Sequence, residues 1–208
     1  MKQVILILIF ILTTTLPCFG EKEHLEPVID AGQYGDVLKE YYDNVFTFLY
    51  RGFTQKPYAR YTSMPSFSSE YAYSVEKIDK KYYVVSIRIS DSYWYSGFMN
   101  KRDSIETNIT KAEISYDLYT KIGELFEFLV EQIKPPNKIG LDGTMYYFST
   151  TDKKGEIRTG QIWSPYEKSL LGRLVKICDN LYAIGLGKDI SQSKILKEIN
   201  ILITDLKQ

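Results

Sequence analysis

The chain has 208 residues, and its 26 basic and 26 acidic side chains cancel. That balance provides no net field to gather nucleic acid or an anionic membrane surface. A single histidine, His24, excludes histidine-based triads and His-rich zinc sites from a formed pocket.

The first element in chain order reads as a secretory signal. Lys2 gives a short positive start, Val4 to Leu12 is an unbroken apolar run, and Thr13, Thr14 and Thr15 end it. Pro17 breaks the helix, and Gly20 offers a small residue at a cleavage point before Glu21-Lys22-Glu23. A membrane-spanning helix needs about 18 or more apolar residues, more than this run supplies. Residues 1–20 are therefore expected to leave as a signal peptide, giving a periplasmic or secreted protein. Two alternatives stand beside that reading. One is an uncleaved anchor. The other is lipidation of Cys18, although Thr15-Leu16-Pro17 fits a lipoprotein box poorly. Membrane association is expected in those two cases alone. Residues 21–208 then carry 25 basic and 26 acidic groups, for a net charge of −1, and one cysteine, Cys178. No intramolecular disulfide is then possible, so stability has to come from the core.

Residues 21–35, with Pro27, Gly32 and Gly35, read as a flexible polar lead-in. Residues 36–208 are enough for a single domain with a real core. Asp36 to Tyr50 spaces Leu38, Tyr41, Val45, Phe48 and Leu49 for one buried helical face, and Gly52 is placed to end it. Tyr58 to Ser69 reads as a loop rich in Ser, Pro and aromatic residues. Strand patterns follow at Tyr71, Tyr73 and Val75 and, after a turn at Asp79-Lys80, at Tyr83, Val85, Ile87 and Ile89. Tyr93 to Met99 and Ile105 to Ile109 complete a predicted antiparallel meander. One face of it is apolar, and the other carries Ser86, Arg88, Ser90 and Glu106.

A second helix is predicted from Ser115 to Ile133, with Leu118, Ile122, Leu125, Leu129 and Ile133 on one face and Pro135-Pro136 as the stop. Met145 to Ser149 and Glu156 to Trp163 form a hairpin across Asp152-Lys153-Lys154-Gly155. Ser164, Pro165 and Glu167 read as a capping box opening a third helix, whose apolar face is Leu171, Leu174, Val175, Cys178, Leu181 and Tyr182. Gly185 and Gly187 close it, and a last helix runs from Lys194 to Leu206. On that face Cys178 is expected to act as a small buried hydrophobe. This order predicts an α+β fold, a mostly antiparallel sheet of about five to six strands covered on one face by helices.

Few patterns carry chemistry. No G-x-S-x-G elbow, phosphate-binding G-x-x-x-x-G-K-[ST] loop, dinucleotide G-x-G-x-x-G or paired C-x-x-C occurs. Ser74-Val75-Glu76-Lys77 matches S-x-x-K, but in a strand pattern it sends Ser74 and Lys77 to opposite faces, and no S-D-N or K-T-G accompanies it. Asp142-Gly143-Thr144 matches the end of a D-x-D-G-T phosphatase loop, whose nucleophile position is here Gly140. It reads as a turn into the following strand. Lys80-Lys81, Lys101-Arg102 and Lys153-Lys154 are short basic pairs at turns, not a phosphate track. No cofactor, metal or catalytic set is expected. The alternative is a glycan hydrolase working by a carboxylate pair, with Asp91, Asp142 and Glu156 as candidates, or a glycan-binding envelope protein.

What the sequence has in excess is tyrosine, 18 of them, with two tryptophans. Adjacent aromatics on a strand point to opposite faces, so doublets such as Tyr82-Tyr83 and Tyr146-Tyr147 divide between core and outside. Outward Tyr and Trp give rigid contact area with a polar handle, which suits an interface. The expected function is therefore an exported, non-enzymatic protein, of inhibitor or immunity type, that binds a protein partner. Its expected binding residues are Tyr58, Tyr61, Phe67, Tyr93, Trp94 and Tyr95, on an aromatic sheet face or in the loop Gln55 to Phe67. No nucleic-acid partner is expected.

Overall fold

A computed structural model of the chain describes residues 24–30, 32, 35–135 and 142–208. The expected signal peptide lies outside the described residues. The described strands are β1 (Glu26–Pro27), β2 (Ala59–Pro65), β3 (Tyr71–Ile78), β4 (Lys81–Ile89), β5 (Thr107–Ile114), β6 (Thr144–Thr151) and β7 (Ile157–Trp163). The described helices are α1 (Asp36–Leu49), α2 (Tyr93–Phe98), α3 (Tyr116–Glu131), α4 (Leu170–Gly185) and α5 (Gln192–Lys207). The strands form one antiparallel sheet in the order β1-β7-β6-β2-β3-β4-β5. The α+β class and the antiparallel sheet read from the sequence hold, with seven strands where about five to six were expected.

The additional central strand is β2, which the sequence pattern gave as loop. Its residues Ala59-Arg60-Tyr61-Thr62-Ser63-Met64 are all buried, because β3 and β6 flank it and both sheet faces are covered. A strand buried on both sides need not alternate apolar and polar residues, so the period-2 signal is missing. Pro65 ends it, where a lost ladder donor costs little. The β3–β4 turn follows its expectation: Asp79 and Lys80 both have positive φ, as a two-residue hairpin turn requires.

Helices lie on both faces. Leu118, Ile122, Leu125 and Phe126 of α3, Leu174, Cys178 and Leu181 of α4, and Ile195, Ile199 and Leu202 of α5 pack with Tyr61, Tyr73, Val75, Val84 and Phe148 of the sheet. On the other face Tyr41, Val45, Phe48 and Leu49 of α1 and Tyr93 of α2 pack with Met64, Ala72, Ile87, Ile89 and Tyr147. The β4 side expected to be polar is thus the one under α4, where Ser86 Oγ donates to the Tyr182 carbonyl at 2.9 Å. The apolar stripe Val85, Ile87 and Ile89 turns toward the second face. Tyr146 and Tyr147 divide between the two faces as their adjacency dictates.

Three further positions differ from the sequence reading. Tyr93–Phe98, expected as strand, is a helix that Ser92 caps by accepting from the Tyr95 amide at 3.4 Å. The helix expected to open at Ser164 begins at Leu170 with Ser169 as its cap. Ser164 Oγ instead accepts the Thr144 amide at 2.8 Å and closes the open end of the β6–β7 hairpin. Part of the 21–35 lead-in is fixed: Leu25 is buried, its carbonyl accepts from Lys134 at 3.0 Å, and β1 pairs with β7. Cys178 is free and fully buried, and burial pushes its thiol up, so it packs as the small hydrophobe expected.

Two predictions follow from the packing. Burial drives the phenols of Tyr61, Tyr71 and Tyr73 well up and those of Tyr58 and Tyr182 to about 12. The fold therefore favours neutral tyrosine, and its stability is complete below the unfolded value and lost as pH rises through the folded ones. The urea midpoint should hold steady to about pH 9 and fall between about pH 10 and pH 12; a level midpoint across that window contradicts the assignment. At Gly123 on α3, a Cβ would fall 2.1 Å from Tyr58 Oη. Gly123→Ala should cost about 1–3 kcal/mol. Most of that cost should disappear in a Tyr58→Ala background, and simple additivity in the urea-melt cycle would refute the contact.

Candidate functional site

An apolar surface is built around α2, and a buried carboxylate positions it. Glu70 precedes β3 and is fully buried. It accepts the Tyr41 hydroxyl of α1 at 2.8 Å, the Tyr93 and Trp94 amides of α2 at 2.8 and 3.2 Å, and Ser92 Oγ at 3.5 Å. The first amides of a helix lack intrahelical partners, so one side chain both satisfies them and holds α2 against α1. Burial and the Glu70 carboxylate push the Tyr41 phenol up, which keeps it a donor. A second tie runs through Arg102, whose guanidinium bonds Glu40 of α1 at 2.7 Å and lies 4.7 Å over the Tyr93 ring. Gly97 leaves the room this needs, because a Cβ there would fall 2.5 Å from the Arg102 guanidinium.

Held this way, α2 turns Tyr93 and Ser96 inward and presents apolar side chains outward. Phe98 and Met99 are 65 % and 58 % exposed, Tyr95 is 40 % exposed, and Phe67, in the β2–β3 connection, is 73 % exposed. Trp94 is partly buried, with its ring edge-to-face on Tyr41 at 5.1 Å and on Phe98 at 4.9 Å. Cavities flank the helix. One of about 530 Å³ is lined by Phe67, Tyr95, Met99, Asp91 and Lys101, and one of about 480 Å³ by Val37, Trp94, Phe98, Glu40 and Arg102. Large apolar residues gathered on a surface mark interaction sites more often than scattered ones do.

Of the six residues predicted to bind, Phe67 and Tyr95 line the first of these cavities and Trp94 the second. Tyr93 belongs to the same helix but faces inward at 8 % exposure. Tyr61 is fully buried against Tyr73 and Phe148, so it is not available to a partner. Tyr58 lies at the opposite end of β2 and stacks on Tyr119 with centroids 4.1 Å apart. The sequence reading missed Val37, Phe98 and Met99. A strand at 93–99 separates Trp94 from Tyr95 by face. The signal that finds the helix is Ser92 as cap with Trp94 and Phe98 four apart.

The carboxylates considered for hydrolysis do not converge. Asp142 and Glu156 sit at opposite ends of the β6–β7 hairpin, separated by the eight residues of β6, about 25 Å of strand. Asp91, beyond the end of β4, shares the Asp142 end but is three strands away, about 14 Å. Paired glycosidase carboxyls lie about 5–9.5 Å apart. Among the described residues no group of three or more His, Cys, Asp or Glu side chains is placed to hold a metal ion. Comparison of the chain with protein-family models, with curated proteins and with solved structures finds no match.

Glu70 anchors this surface and can be tested directly. Glu70→Ala strands a buried phenol, a hydroxyl and two helix amides, and should destabilise the fold by about 3 kcal/mol in urea melts. Glu70→Gln, which still accepts, should cost about half of that. Equal stability of Glu70→Ala and the parent protein would show that α2 is held by other contacts.

Proposed function

We propose that the protein is an exported, non-enzymatic binding protein that engages a protein partner through the aromatic surface around α2. The observation that supports this most is the outward set Phe67, Tyr95, Phe98 and Met99, mounted on a helix whose N-terminus is fixed by a buried carboxylate. Such a surface is rigid before contact, so little conformational entropy is lost when it is covered. Exposed aromatic and Met side chains beside the partly buried Trp94 are the composition of interface centres. An inhibitor or immunity-type role fits this use, because blocking another protein needs a shaped surface and no catalytic group. Export rests on the amino-terminal apolar run. No helix of the described residues is long and apolar enough to cross a membrane.

The test compares the tagged full chain with its Phe67→Ser/Phe98→Ser/Met99→Ser variant in pull-downs from envelope extract. All three residues are exposed, so each change should shift stability by no more than about 0.5 kcal/mol. The parent should retain a stoichiometric protein that the variant holds at least about tenfold more weakly. Equal retention by both folded proteins, or no stoichiometric partner, rejects the reading. Amino-terminal sequencing of exported protein should begin at Glu21, and a chain that keeps its first 20 residues removes the signal-peptide part of the proposal.

A further inference from the structure

The two edges of the sheet are finished differently. β1 lies against the outer edge of β7, whereas β5 ends the strand order with its far side open. The eight residues of β5 pair with β4 one for one, with no bulge and no proline. In an antiparallel ladder, alternate residues turn both backbone groups to the same neighbour. Glu106, just before β5, gives its carbonyl to the Ser90 amide at 3.0 Å. The even-numbered residues therefore bond to β4, and the odd-numbered ones turn their amides and carbonyls away from the sheet.

The chain itself closes this outward row at each end. Gln192, at the start of α5, donates from Nε2 to the Glu113 carbonyl at 3.0 Å and accepts the Ser115 amide at 2.9 Å. Both groups are outward ones by the same alternation, so this side-chain amide takes the place of a neighbouring strand. At the other end the Ile105 amide is given to the Arg102 carbonyl at 3.2 Å. Between these stops the amides and carbonyls of Thr107, Ile109 and Lys111 have no partner among the described residues. Thr107, Asn108, Ile109 and Lys111 are exposed, with the apolar Ile109 at 43 %. Edge strands are kept from pairing by prolines, bulges, short length or charges. The one charge in this stretch, Lys111, lays its ammonium back over the Tyr83 ring at 4.8 Å.

We propose that β5 pairs, antiparallel and edge to edge, with β5 of a second copy of this chain, about a twofold axis at Ile109. The open groups are symmetric about that residue, because Thr107 and Lys111 stand equally far on either side of it. Reversing the strand sets Thr107 against the partner's Lys111 and Ile109 against the partner's Ile109. Every open amide then meets an open carbonyl. The next hydrogen-bonded register in either direction would engage the Glu113 carbonyl or the Ile105 amide, and both are already taken. The two isoleucines cover each other, Asn108 faces the partner's Thr110, and no like charges stand opposite. The charges of the chain cancel, so two copies approach without net repulsion. An unrelated extended peptide can use the same backbone groups. Only a second copy brings an open row of equal length, bounded in the same way, with an isoleucine to meet Ile109. The contact is isologous, the same patch on both subunits, as a twofold dimer requires.

The experiment combines sedimentation velocity and amide exchange by NMR on the full chain. A species of twice the 24.2 kDa chain mass should form as concentration rises. The amides of Thr107, Ile109 and Lys111 should gain protection in step with it. Ile109→Lys and Ile109→Glu each set like charges across the axis and should weaken self-association at least about tenfold. An equal mixture of the two variants should restore it, because opposite charges then face each other. Neither a failed fold nor association through another surface gives that pattern, and the amide readout needs no variant at all. The proposal is overturned by a chain that stays monomeric at NMR concentrations or by a dimer that leaves the three amides unprotected. Variants that self-associate as the parent does, or a mixture no more associated than each variant alone, overturn it equally.

Discussion

A carboxylate shut away from water is tolerable only where fixed donors surround it, and at Glu70 those donors come from separate elements. Tyr41 reaches it from α1, while Ser92 and the amides of Tyr93 and Trp94 reach it from the start of α2. The full set of bonds forms only when both helices are docked on the same end of β3. The cost of burying an unpaired charge is several kcal/mol, so the second sheet face assembles as a unit. The short α2, six residues long, could not persist alone, because helices of that length gain too little from their own hydrogen bonds. Glu70 supplies the acceptor for its first two amides, and the aromatic surface is carried by α2.

Much of the fold is legible in the sequence, and the failures share a physical cause. The long helices show themselves because Leu118, Ile122, Leu125 and Leu129 of α3 and Leu171, Leu174, Cys178 and Leu181 of α4 repeat at helical spacing over several turns. The β6–β7 hairpin shows itself through its turn residues. The strand β2 does not, because Arg60, Thr62 and Ser63 are buried by neighbours that a local window does not contain. Arg60 is accommodated there between the Tyr50 and Phe53 rings, with its guanidinium bonded to the Thr54 carbonyl. Its polarity is met in part by a loop six residues away, while its Nε stays buried without a hydrogen-bond partner, and nothing in the pattern Ala-Arg-Tyr-Thr-Ser-Met announces that. For α2, aromatic density suggests a strand, while the deciding contacts come from Glu70, more than twenty residues earlier.

The candidate site divides in the same way. Phe67, Trp94 and Tyr95 are recoverable as exposed or half-exposed aromatics because loop and cap residues surround them. Tyr61 is indistinguishable from them by sequence, yet it lies at the centre of the sheet with its hydroxyl on Asp179. Tyrosine serves this chain in both roles for one reason: a ring large enough to fill a core also carries a hydroxyl that needs a partner. Inside, those partners are Glu70, Asp179 and Thr62. The tyrosines therefore supply both buried phenol-to-acceptor bonds and displayed aromatic surface.

The connection between β2 and β3 brings these roles together. Phe67 projects from it into the α2 surface, Ser68 and Ser69 line cavities on both sides, and Glu70 enters the second face. Tyr71, the next residue, points to the opposite face, where its hydroxyl meets Asp179. Consecutive strand residues alternate in direction, so a carboxylate that holds α2 and a phenol that ties α4 to the sheet are one peptide bond apart. Neither can shift along the strand without breaking the hydrogen bonds of the other. The start of β3 is thus held from both faces, and the two regions keep a constant geometry relative to each other.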